Sequence, residues 1–377
     1  VQALKTNGNN IGRSVAWLYA CNTAGAALGA LLTSYFVIPA LGVSSTTLVA
    51  ALLNLLVALA ALELSKKLIS SATSHRQFTR NESLNPVSRL LLISAWFSLG
   101  LGGLFSLGLE VVYIHLLSIV AGNSVYAFGL MLATFLVGLA IGGECGRRLI
   151  DNPKTDRAAW LTAIQITLAG SVALSTWGWD MIPSYFASFS GYPVITSFSS
   201  REAIRGIVCA LVMIPPTICI GLSYALAMDI TTSSEKRSGI KILGLSAAIN
   251  TFGNIAGVLL FGFFLLPWFG GLVSTKIVAI GALAIAAFVM LSIKNHKKLM
   301  HLGTAMAAVI SLVIISPTRL DYESLSSGAN VYFSAQKWGT VIDHAESIDG
   351  GLTTVVSQSA ADKTIKTLLT NGKFQGN

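Results

Sequence analysis

The stretch GRSVAWLYACNTAGAALGALLTSYFVIPALG, Gly12 to Gly42, returns 228 residues later as IKILGLSAAINTFGNIAGVLLFGFFLLPWFG, Ile240 to Gly270. Asn22, Thr23, Gly25, Gly29, Pro39 and Gly42 fall on Asn250, Thr251, Gly253, Gly257, Pro267 and Gly270. Each copy reads as one apolar helix with an Asn near its start, glycines four apart on one face, and a Pro and a Gly closing it. Glycines at that spacing let a neighbouring helix approach backbone to backbone, which is how helices associate in lipid. A period this long, with several helices between the copies, predicts a duplicated membrane bundle rather than a solenoid of short repeats.

Composition agrees. Hydrophobic residues make up 53% of the chain and charged residues 11%, with a mean hydropathy of +0.70, far from the roughly 25% charged residues of soluble domains. The chain is predicted to be an integral, multi-pass membrane protein whose first partner is the lipid bilayer. Its net charge of +9 does not point to nucleic acid, because the basic residues sit in short loops between apolar runs, where membrane topology accounts for them. Cys21, Cys145, Cys209 and Cys219 lie in or beside apolar runs and none has a metal-ligand spacing with a His, so they read as packing residues and no metal site is expected. No signal peptide is visible. A start at Val1 and an end at Asn377, just after a turn signal, read as a piece of a longer polypeptide.

Apolar runs long enough to cross a bilayer, which takes about 20 residues, cover Ser14 to Val37, Ser44 to Leu62, Leu90 to Ile119, Val125 to Gly146, Ala158 to Gly178, Ala203 to Met228, Ile240 to Phe264 and Leu272 to Ile293. Pro215 and Pro216 are expected to kink the sixth. A shorter run, Met300 to Ser316, sits at the lower limit of a span. The domain reading is therefore two helices in 1–62, a polar loop in 63–89, six helices in 90–293, a linker with a short apolar segment in 294–320, and a soluble tail in 321–377. In the second copy four spans precede the repeated helix and one follows. The first copy has only the one that follows, so it reads as a truncated six-helix unit. Two six-helix units in the same orientation match the halves of major-facilitator transporters, a likeness of architecture alone.

Arg13, Lys66, Lys67, Arg76, Arg80, Arg89, Arg147, Arg148, Lys154, Arg157, Lys236, Arg237, Lys241, Lys294, Lys297 and Lys298 all fall on one side of this topology, with Lys5 before the first span. Excess Lys and Arg mark the cytoplasmic side. If Met300 to Ser316 crosses, the tail lies on the opposite side; if it lies in the interface, the tail is cytoplasmic. Nothing in the sequence fixes an oligomeric state.

Glu110 is the polar residue to watch within the bundle, about two thirds along the span Leu90 to Ile119, where an unpaired charge costs about 3 kcal/mol on insertion scales. It reads either as a proton or substrate site facing the bundle interior or as a structural carboxyl bonded to a neighbouring helix. His115, five residues on, is about 140° round the helix from it and reads as an interfacial His. Asn22 and Asn250 could shape a central cavity or bond helix to helix. Glu144 with Arg147 and Arg148 reads as a helix end, and Glu202 with Arg205 as a helix-start ion pair. In the tail, Val331 to Phe333, Gly339 to His344, Leu352 to Gln358 and Thr364 to Thr370 read as strands. Asp349-Gly350-Gly351 is a connection, and Asn371-Gly372 is a hairpin turn with positive φ at both central positions. This small antiparallel segment reads as the first piece of a larger β domain.

Leu18-Tyr19-Ala20-Cys21-Asn22-Thr23-Ala24-Gly25, Leu109-Glu110-Val111-Val112-Tyr113, Gly122-Asn123-Ser124-Val125-Tyr126-Ala127-Phe128 and Phe135-Leu136-Val137-Gly138-Leu139-Ala140-Ile141-Gly142 occur in this order. The chain thereby resembles bacterial membrane-integrated spermidine synthase-like proteins, in which a major-facilitator-like bundle precedes a β domain and a methyltransferase-like catalytic domain. The tail extends the resemblance. Gly350-Gly351-Leu352-Thr353-Thr354-Val355 resembles that family's glycine-leucine-threonine strand, and Leu368 to Gly376, with Asn371, Gly372 and Gln375, resembles its hairpin.

The resemblance implies residence in a bacterial inner membrane. It also implies, for the parent protein, polyamine biosynthesis by aminopropyl transfer from decarboxylated S-adenosylmethionine, as cosubstrate, to putrescine, a small-molecule amine. In the soluble synthases a Gly-rich loop holds the cosubstrate and an Asp deprotonates the attacking amine, since an ammonium is no nucleophile. No such loop follows Asp321, so no catalytic residue and no bound cofactor are expected in this chain. Asn371 stands where the soluble synthases carry Asp, and Gly350 or Gly351 near where they carry a substrate-binding Gln. The parent's amine need not be putrescine. A transporter of a polyamine or another small metabolite, with the tail as a docking module, is the alternative.

Overall fold

The two copies of the repeat fold alike. In a computed structural model that describes residues 11–71, 88–152, 154–233, 239–347, 351–360 and 363–376, helix α1 (Ile11–Leu32) passes into a π-helical turn, Thr33–Val37, and then into α2 (Ile38–Ser71). Helix α8 (Gly239–Leu260) passes likewise into a π-helical turn, Phe261–Leu265, and then into α9 (Leu266–Met290). Every boundary from the start of the first helix to the start of the second keeps the offset of 228. Gly42 and Gly270 break α2 and α9 at φ 75° and 74°, a conformation that a Cβ disfavours.

Between the copies lie α3 (Arg89–Ala121), α4 (Val125–Asp151), α5 (Arg157–Gly178), the short α6 (Ile182–Ala187) and α7 (Phe198–Ser233). Ser88, Ser124 and Asp156 cap α3, α4 and α5 through their side chains, satisfying N–H groups that have no partner in the first turn. Helix α7 runs unbroken through Pro215 and Pro216. Among the described residues seven stretches are long and apolar enough to cross a membrane, two of them, Ala16–Lys66 and Lys241–Met290, being helix pairs broken at a glycine. The last is α10 (His296–Ile315), 20 residues long, so the helix that contains the run from Met300 has the length of a span. The chain is a multi-pass membrane protein.

Glycine seams hold the bundle together. A Cβ on Gly142 of α4 would stand 2.3 Å from the carbonyl oxygen of Ile218, and one on Gly221 of α7 would stand 2.4 Å from that of Leu139. The two helices therefore touch backbone to backbone, which only glycine permits. Helix α8 meets α3 in the same way at Gly253 and Gly257.

After α10, α11 (Tyr322–Leu325) and α12 (Ala329–Tyr332) lead to a four-stranded antiparallel meander of β1 (Thr340–Ser347), β2 (Gly351–Ala360), β3 (Lys363–Thr370) and β4 (Lys373–Gly376). The strand expected at Val331-Tyr332-Phe333 is instead the end of α12. Phe333 is buried against Phe186, ring centroids 5.7 Å apart, with the Arg201 guanidinium 5.5 Å from its ring. That tertiary contact overrides β propensity. Asn371 and Gly372 take φ 49° and 72°, the two left-handed residues a type I′ turn requires. Gly351, at the start of β2, is described; Asp349 and Gly350 of the connection lie outside the described residues.

Candidate functional site

Polar contacts sort the bundle into two ends. At one, Lys298 meets Asp156 at 2.7 Å, Arg157 meets Asp229 at 2.8 Å, and Arg147 and Arg148 meet Glu144 at 2.6 and 2.9 Å. These join the start of α10 to the start of α5, and α5 to the end of α7, and they carry the basic residues. At the other end Lys276, in the part of α9 that follows the Gly270 break, bonds to the Ser316 carbonyl after α10. There too Asp180 accepts from the Asp321 N–H at 3.0 Å, and Arg205, paired with Glu202, reaches the Asn330 carbonyl at 3.0 Å. The sheet therefore sits at the end opposite the basic loops.

Glu346 of β1 fixes it there. Its carboxylate accepts from the Gly271 N–H at 3.0 Å and from the Tyr322 hydroxyl at 3.2 Å, and meets His115 Nε2 at 3.2 Å. One side chain thus joins the end of α3, the start of α9 and α11. Burial alone would raise this carboxyl. The hydrogen bonds from His115, Gly271 and Tyr322 outweigh burial and hold it below the ordinary glutamate value. Burial and the neighbouring Glu346 charge push the Tyr322 phenol up to about 12, keeping it a neutral donor. His344 stacks on Tyr322 at 3.9 Å, and a cavity of about 380 Å³ opens beside them, bounded by Pro267, Gly270 and Leu320. His115, read from the sequence as an interfacial His, is buried in this junction. Glu346 lies in a run of alternating character that gave no sign of burial.

The start of β2 and the turn between β3 and β4 clasp each other. Asn371 Oδ1 accepts from the Leu352 N–H at 2.8 Å, and the Asn371 N–H donates to the Leu352 carbonyl at 2.8 Å. A Cβ on Gly351 would stand 2.4 Å from Asn371 Oδ1, so glycine at 351 makes room for the amide. Gln375 is exposed on β4.

A second polar assembly lies inside the bundle. A cavity of about 110 Å³ is lined by residues of α1, α3, α4, α5, α7, α8 and α9, among them Tyr19, Ser106 and Asn250. Gln165 Nε2 donates to Ser223 Oγ at 2.8 Å, and Ser223 Oγ lies 3.2 Å from Ser98 Oγ. Asn250 and Asn254 both face Gly103, their Oδ1 atoms 3.1 Å from where its Cβ would be.

Of the three intramembrane candidates, the structure therefore places Asn250 on a cavity. Asn22, its repeat mate, is exposed on α1 and does not join it. Glu110 is half-buried one turn beyond Ser106 on α3. Sequence inspection missed Gln165, Asn254 and Ser223; Gln165 is an amide in the middle of an apolar span, the signal that could have found it. Among the described residues no group of three metal-ligating side chains forms, and Cys21, Cys145, Cys209 and Cys219 are free thiols. No known protein family, curated protein or solved structure matches the chain.

Proposed function

We propose that the chain is the membrane portion of a spermidine synthase-like protein, a bundle of major-facilitator-like units that carries the first strands of a β domain. The observation that supports this reading is the clasp between Leu352 and Asn371, which joins the two tail motifs that carry the resemblance. The parent would transfer an aminopropyl group from decarboxylated S-adenosylmethionine to an amine, in a bacterial inner membrane. The bundle's part is to hold the β segment against the ends of α3 and α9 through Glu346. Membranes containing the full-length parent should release methylthioadenosine from decarboxylated S-adenosylmethionine and putrescine or another amine, and the chain alone should release none. Parent membranes that release none with any amine would remove the transferase.

The side on which the sheet sits favours a second reading. The basic loops mark the cytoplasmic side, so the sheet faces away from the cytoplasm, where the aminopropyl donor is made. A carrier of a polyamine or another small metabolite, with the β segment as a docking module, has no such difficulty, and the polar cavity inside the bundle suits it. A reporter cysteine at the exposed Ser359, in a cysteine-free background, should react with an impermeant maleimide in intact cells. Reaction only after lysis would return the sheet to the cytoplasm and take away the ground for the carrier.

A further inference from the structure

The central cavity has more acceptors than its own donors satisfy. Gln165 is 1% exposed, and with Nε2 engaged by Ser223 its Oε1 has no partner; Asn254 Oδ1 is also buried without one. A buried carbonyl oxygen left unpaired costs about 1–3 kcal/mol, and the two side chains that carry them belong to residues lining one space. Tyr19 and Tyr224, ring centroids 4.6 Å apart, line the same space and supply aromatic surface that attracts a cation. No Lys, Arg or His is among the lining residues.

Glu110, which is not among the lining residues, adds an acid beside them along α3. It follows the cavity-lining Ser106 and Leu107 by four and three residues on α3, which puts the three on one helix face. Side chains on a helix lean toward its N-terminus, so Glu110 leans toward the turn that lines the cavity. Its carboxyl has no hydrogen-bond or ion-pair partner among the described residues. Two orphan carbonyl oxygens, aromatic surface and one unpaired acid, with no resident cation, are complementary to one class of solute.

We infer that this cavity binds a small primary ammonium ion, its N–H groups donating to Gln165 Oε1 and Asn254 Oδ1, and Glu110 balancing its charge. A space of about 110 Å³ admits a head group of a few heavy atoms, since one water needs about 10–15 Å³ by the same measure. The site stands without the carrier reading; any passage of the solute through the bundle rests on that reading.

The test is thermal unfolding of the purified chain in lipid nanodiscs, titrated with propylammonium chloride, 1-propanol or sodium propionate. Propylammonium alone should raise the midpoint saturably. Asn254→Leu should weaken its binding roughly tenfold, the worth of one hydrogen bond to a charged group, and Glu110→Gln should weaken it as well. Gln165→Glu keeps the shape of the side chain and should tighten it, a gain that a misfolded variant would not show. An equal shift with 1-propanol, a larger one with propionate, or no saturable shift with propylammonium would overturn the inference. Saturable binding of propylammonium without its uptake into vesicles would support the site and overturn the carrier alone.

Discussion

Helices α1 and α8 share a sequence pattern, a π-helical turn and a glycine break, yet they bury nearly opposite faces. In α1 the buried positions are Ala16, Ala20, Thr23 and Ala27, while Asn22, Gly25 and Gly29 are exposed. In α8 the glycine face is the packed one, and Thr251 and Ile255, the mates of Thr23 and Ala27, are exposed. A Cβ would meet nothing within 4 Å at Gly25 or Gly29, but would stand 2.1 Å from a backbone oxygen of α3 at Gly253 and at Gly257. Local geometry thus follows the motif in both copies, whereas burial follows whichever helix lies alongside. The repeat encodes two usable faces, and each copy in this chain uses one.

The glycines should separate the copies most. Gly253→Ala and Gly257→Ala force backbone apart and should each cost about 3 kcal/mol, whereas Gly25→Ala and Gly29→Ala should change stability by no more than about 0.5 kcal/mol. Unfolding of the purified chain by increasing SDS in mixed micelles would read both pairs. Equal losses in the two copies would mean that α1 is packed on its glycine face after all.

The next contrast lies at the breaks. Among the described residues only the second copy meets the sheet there, through the Gly271 N–H. Glu346→Ala leaves that N–H, His115 and Tyr322 without their acceptor and should cost about 2 kcal/mol of sheet docking, seen as faster proteolysis of the tail with the bundle intact. Because the folded carboxyl titrates below its ordinary value of 4.5, its contribution is complete above that value and is lost as pH falls through the folded one. Docking followed by proteolysis with an acid-active protease should weaken only on the acid side of about pH 4.5, and a weakening that begins near neutrality would assign the control to another group.

Smallest is the difference between Gly42→Ala and Gly270→Ala. Both place a Cβ at positive φ, at about 1–2 kcal/mol, but only at Gly270 would it approach Glu346 Oε1, at 3.3 Å. Gly270→Ala should therefore exceed Gly42→Ala, and the excess should vanish in the Glu346→Ala background. An excess that persists there would place its origin inside α9.

Helix positions were legible because apolar length and small-residue spacing are local signals: the spans expected from Ser14 to Ile293 fall on α1 to α5 and α7 to α9, although Ser44 to Leu62 covers only the middle of α2 (Ile38–Ser71). The hairpin at Asn371-Gly372 was legible because its turn chemistry is local too. What pairs Glu346 with His115, 231 residues away, is the folded topology, and no periodicity reports it. Phe333 shows the same limit, since its run has strand composition but its ring is claimed by Phe186. The cavity was half legible. Asn250 stood out through its repeat mate, whereas Gln165 and Asn254 gain their meaning only from facing the same space.

Glu346 also has a mechanical consequence. By holding the end of α3 and the start of α9 in one grip, it acts as a strap across the bundle at the sheet end. If these two helices separate, they must either release that grip or swing about it like the blades of shears, opening widest where the basic loops are. The sheet is then the pivot of the bundle as well as its passenger.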